Sequence, residues 1–130
     1  MTGLVLDASA LTDLLSGADQ EAIVDAIADR SLLAPAHIDA EVLSALRGLM
    51  LSGALSQARV RDSLIDLADL PLERWSLAGP LLRRALDLAA NITSYDALYV
   101  ALAEGTGVPL LTRDVRLAKA AERLIDVELI

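Results

Sequence analysis

Five short runs rich in apolar residues punctuate this chain. Between them lie longer segments in which apolar side chains return every three or four positions. The runs fall at residues 3–6, 32–34, 72–75, 109–112 and 126–130. Residues 3–6 form an unbroken apolar run rather than an alternating one, which suits a parallel strand buried on both faces. Residues 126–130 alternate polar and apolar, as a half-exposed edge strand does. Helical patterns cover 9–15, 20–28, a stretch from Ile38 through Val42, Leu46, Leu49 and Met50, and another from Ser56 through Val60, Leu64 and Leu67. Further helices are expected at 80–90, at 94–104 with Gly105 and Gly107 as stops, and after residue 112 to about Arg123. Strands separated by helices predict an α/β fold: one domain, with a central, mostly parallel five-stranded sheet, right-handed crossovers and helices on both faces.

The 130 residues are 55% hydrophobic, enough for a real core and too apolar for a disordered chain. The longest unbroken apolar stretch, 97–103, is far too short to span a bilayer. No basic region precedes the first apolar run, and the chain has no cysteine. These features predict a cytoplasmic protein without a signal peptide, a disulfide or a thiolate metal site. A net charge of −8 argues against a simple nucleic-acid coat, yet ten arginines remain to hold phosphates.

In an open α/β sheet, ligands sit beyond the carboxyl ends of the strands. Asp7 ends the run Leu4-Val-Leu-Asp7, and Asp114 follows Leu110-Leu-Thr-Arg113. Each is also well placed to cap the helix it precedes. Asp96 opens a helix that is apolar on every side, so its carboxylate needs a partner. With Thr93 it also fits a capping box. Glu41 lies at the margin of the apolar stripe carrying Ile38, Val42 and Leu46, within reach of the strand ends. Together these four acids are candidate catalytic residues and metal ligands. Gathered carboxylates repel one another unless a cation neutralises them. Oxygen donors without histidine or cysteine select Mg²⁺, with Mn²⁺ as a substitute, over zinc. Ser9 and Thr112 offer hydroxyls beside the strand-end acids, suited to support the site or to make local caps. His37, the lone histidine, reads as structural rather than as a general base, and Trp75, Tyr95 and Tyr99 read as core.

The segments Leu4-Val-Leu-Asp-Ala-Ser-Ala10, Pro35-Ala-His-Ile-Asp-Ala-Glu41, Thr93-Ser-Tyr-Asp96 and Pro109-Leu-Leu-Thr-Arg-Asp114, in this order and spacing, resemble the PIN domain. More narrowly, they resemble the toxins of VapBC toxin–antitoxin pairs. The resemblance carries the family's acidic positions onto Asp7, Glu41, Asp96 and Asp114, and its hydroxyl onto Thr112. It implies Mg²⁺-dependent endonucleolytic cleavage of RNA, a homodimer, and inhibition by a cognate VapB-type antitoxin. A phosphate-cradling NTPase is a poor fit, because no glycine-rich loop ends in Gly-Lys-Ser/Thr. The alternative is a PIN-like module that binds RNA or a protein without cutting.

Overall fold

A computed structural model describes residues 2–130. Its order is β1 (Thr2–Leu6), α1 (Ala8–Ser16), α2 (Gln20–Ile27), β2 (Arg30–Pro35), α3 (Ile38–Leu51), α4 (Gln57–Asp69), β3 (Leu72–Trp75), α5 (Gly79–Asp87), α6 (Ser94–Thr106), β4 (Leu110–Thr112), α7 (Val115–Ala121) and β5 (Val127–Leu129). The five strands pair in parallel in the order β3-β2-β1-β4-β5. The expected α/β architecture is therefore present, with 126–130 supplying an edge strand.

Successive strand residues point to opposite faces, and Leu4, Val5 and Leu6 are all fully buried. Both faces of the sheet are thus covered. Helix α6 lies against β1, β2 and β4 with α5 packed on it, while α1 packs against α2, α3 and α4. Every residue of α6 from Ala97 to Ala103 is buried, as its all-round apolar pattern demands.

The chain runs outward from β1 to β2 and β3, then returns to the other side of β1 for β4 and β5. The sheet therefore has its topological switch between β1 and β4, where a crevice opens beyond the carboxyl ends. Helix α6 feeds β4 through a short turn and runs antiparallel to it, so the first turn of α6 lies at this same edge. That turn depends on Gly107, whose φ of 70° suits glycine and whose N–H donates to the carbonyls of Ala103 and Glu104. Gly105, expected to share in stopping the helix, lies inside it. A lone glycine weakens a helix without ending it, and only Gly107 takes the left-handed conformation. The second strand, expected at 32–34, runs from Arg30 to Pro35, with Pro35 paired in register with Trp75 near the edge of the sheet.

Candidate active site

Asp7 follows the last residue of β1 and is only 4% exposed. Its Oδ1 accepts from the Ser9 hydroxyl at 2.7 Å and from the Ala10 N–H at 3.0 Å, and its Oδ2 accepts from the Thr112 hydroxyl. It caps α1 and also ties β1 to the end of β4. Burial pushes its carboxyl above the ordinary value; the Thr112, Ala10 and Ser9 hydrogen bonds work against that rise, and the charge of Asp96 adds to it. The two hydroxyls complete a small network. Ser9 Oγ accepts from the Arg113 N–H at 3.1 Å, and Thr112 Oγ1 accepts from the Asp114 N–H at 3.0 Å.

Asp114 caps α7, its Oδ1 accepting from the N–H groups of Arg116 and Leu117. Asp96, half-buried in the first turn of α6, receives the charges of both Glu41 and Asp114. Burial is the largest influence raising its carboxyl; Thr93 and His37 pull it down, while the two acids push it up. The capping box is half made, with the Thr93 hydroxyl accepting from the Asp96 N–H at 3.3 Å. Asp96 and Asp114 share the wall of a cleft of about 200 Å³ with Thr93 and Arg116.

Glu41 sits in the first turn of α3, at the same edge. Its Oε1 accepts from the Tyr99 hydroxyl at 2.6 Å and lies 3.1 Å from His37 Nε2. Burial works to raise this carboxyl, yet the hydrogen bonds from His37 and Tyr99 and the charge of His37 outweigh it and hold it low. His37 Nε2 also lies 3.1 Å from the Tyr95 carbonyl. Both neighbours are acceptors, so Nε2–H is the donor to them. The histidine expected to be merely structural is thus in contact with a site acid. Its i,i+4 spacing to Glu41 was the available signal. Tyr99, expected in the core, is buried there but spends its hydroxyl on Glu41. Trp75 and Tyr95 are not core: they are 41% and 62% exposed. Trp75 ends an edge strand, and Tyr95 stands two residues before the buried run of α6 begins at Ala97.

Of the arginines, Arg113 is committed to Asp13 at 2.7 Å and Asp19 at 3.0 Å. Arg84 pairs with Glu104 at 2.6 Å. Arg116, in the cleft with Asp96 and Asp114, is the cation best placed for a phosphate.

The PIN domain sequence pattern matches residues 4–123. Ribonuclease VapC3 of Mycobacterium tuberculosis is 44% identical over 119 residues, covering 90% of this chain and 86% of that protein. The chain belongs to the PIN-domain family, among the VapC ribonucleases. Ribonuclease VapC12 of the same organism is 38% identical over 128 residues, covering 98% of each chain. The VapBC2 structure from Rickettsia felis, bound to a DNA fragment from their promoter, superposes with a TM-score of 0.69. It covers 98% of each chain at 13% identity, a likeness of fold.

PIN-domain VapC nucleases depend on a divalent cation. Among the described residues, no three histidine or acidic side chains are gathered closely enough to grip one ion by themselves. The donor chemistry nonetheless fits a hard cation. The acids offer only oxygen, and Asp7 and Asp96 carry charges that their surroundings oppose. Magnesium takes one or two carboxylates and keeps several waters, so it needs no closed protein cage.

Proposed function

We propose that this ribonuclease is the toxin of a VapBC-type pair, and that it hydrolyses RNA phosphodiester bonds at Asp7, Glu41, Asp96 and Asp114 with Mg²⁺. The observation that carries this reading is the placement of Asp7 at the end of β1, Asp114 just beyond β4, and Glu41 and Asp96 in the first turns of α3 and α6, with Asp96 and Asp114 lining one cleft. Asp7 and Asp96, whose carboxyls burial pushes up, would hold the cation, with Glu41 and Asp114 flanking it. A bound cation supplies a stronger water nucleophile and offsets charge on the phosphoryl oxygens. Ser9 and Thr112 fix the orientation of Asp7, Tyr99 and His37 fix Glu41, and Arg116 meets a phosphate of the RNA. The toxin role and a VapB-type antitoxin partner are supported by the sequence kinship with VapC ribonucleases and the likeness to the VapBC2 structure, while the homodimer is implied by the family resemblance alone. No helix among the described residues is long and apolar enough to cross a membrane.

The test is cleavage of RNA by the purified chain with Mg²⁺, with Mn²⁺ and with EDTA, beside Asp7→Asn and Asp96→Asn. Cleavage only with a divalent cation, and a drop of at least about a hundredfold in both variants, is the expected result. Cleavage that survives EDTA or both substitutions would sink the metal mechanism. A wild type that binds RNA but never cuts it would favour the binding-module alternative.

A further inference from the structure

Beside the acids lies a second groove, of about 470 Å³, lined by His37, Ala40, Glu41, Ser44, Ala45 and Tyr95. Its geometry is set by two rings. Tyr95 is 62% exposed, so most of its ring is open to solvent. The His37 ring backs it, with centroids 5.9 Å apart and planes 24° from parallel. His37 is itself held through Nε2, which lies 3.1 Å from both the Tyr95 carbonyl and Glu41 Oε1. The tyrosine is therefore a supported shelf, with one face against His37 and the rest open to solvent. The small side chains of Ala40, Ser44 and Ala45 leave space along α3.

We infer that this groove is a nucleobase subsite, in which an unpaired base next to the scissile phosphate stacks on Tyr95. The inference rests on the reading of the four acids as the site of RNA cleavage. Glu41 is a wall of the groove and one of those acids, so an occupant of the groove adjoins the reaction. None of the lining residues is lysine or arginine, which disfavours a phosphate and suits a neutral, flat group. A π-face accepts any base, and the Glu41 carboxylate and Ser44 hydroxyl offer polar partners to a base edge. A base within a duplex has no free face to offer, so the substrate is unpaired at this nucleotide.

The test uses a single-stranded RNA that the wild type cuts, with 2-aminopurine placed in turn at each nucleotide flanking the cut. Asp7→Asn protein keeps the RNA intact for binding. One position is expected to be quenched on binding, and the quench to vanish when Tyr95→Leu is added. In kinetics, Tyr95→Phe should stay within about twofold of wild type, while Tyr95→Leu should lose about tenfold or more in kcat/KM. Tyr95 is exposed, so both variants should melt as the wild type does, which separates stacking from folding. An abasic nucleotide at the quenched position should impair the wild type but not Tyr95→Leu further. Equal kcat/KM for the Phe and Leu variants, or no quench at any position, overturns the subsite and leaves RNA cleavage standing. A wild type that cuts no RNA with Mg²⁺ or Mn²⁺ overturns both.

Discussion

Glu41 shows how much of a carboxylate's character is imposed by its neighbours. Alone on the margin of α3 it would be an ordinary solvated glutamate. Packed under Tyr99 and beside His37, it is a low-pKa carboxylate with one oxygen already committed. Hydrogen bonds to charged groups contribute about 1.5–3 kcal/mol, so Tyr99→Phe, which keeps the ring and deletes the donor, isolates this effect. The variant should fold normally, while Mn²⁺ binding measured by calorimetry weakens about tenfold. Because the Tyr99 bond helps hold Glu41 down, its loss should shift the acidic limb of the pH–rate profile to higher pH. Unchanged Mn²⁺ affinity and an unmoved acidic limb would show that the bond only packs the core. The places of the four acids in the fold were legible in the sequence because strand ends and helix starts mark them. Their partners were not, because hydropathy cannot distinguish a buried tyrosine with a task from one that merely fills space. Nor does hydropathy show that Tyr95, one position before Asp96, turns its ring outward.

At the scale of elements, a cap and a proposed ligand do not exclude one another. Asp7 caps α1 from the end of β1, and Asp114 caps α7 while lining the cleft with Asp96. The helix N-terminus needs an acceptor there, the proposed cation would need an anion, and one carboxylate has lone pairs for each. Asparagine caps as well as aspartate but carries no charge, whereas alanine does neither. Asp114→Asn should therefore keep the wild-type melting temperature and lose RNA cleavage, and Asp114→Ala should lose cleavage together with about 1 kcal/mol of stability. Denaturant melts and cleavage assays on the pair check this; an Asn variant as active as wild type would reduce Asp114 to a cap. The strand and helix sequence was readable from periodicity, including the edge strand at the end of the chain. The boundaries moved where backbone conformation rules: Gly105 continues α6, and Pro35 pairs within β2 near the sheet edge.

Across the whole molecule, the fold stores charge that it does not itself neutralise. Folding buries Asp7 beside Asp96 and sets Asp96 against Glu41 and Asp114, raising the carboxyls of Asp7 and Asp96 above their ordinary values. A raised carboxyl binds its proton more tightly in the folded state than in the unfolded one. Its favourable contribution is complete below the unfolded pKa and is lost as pH rises through the folded pKa. At neutral pH without metal, the ionised Asp96 therefore opposes folding, and Asp96→Asn removes that opposition. In EDTA at pH 7 the variant should melt a few degrees above wild type. The difference should shrink as pH falls through the folded pKa of Asp96, where the native side chain becomes as neutral as asparagine. Mg²⁺ should reverse the order, since a ligand that binds only the folded state stabilises by RT ln(1 + [L]/Kd) and the wild type binds it better. Thermal melts of both proteins across this pH range, with and without Mg²⁺, decide the matter. If Asp96→Asn is less stable than wild type in EDTA at neutral pH, the carboxylate is compensated within the protein. The acids would then form a structural network rather than a site held ready for a cation.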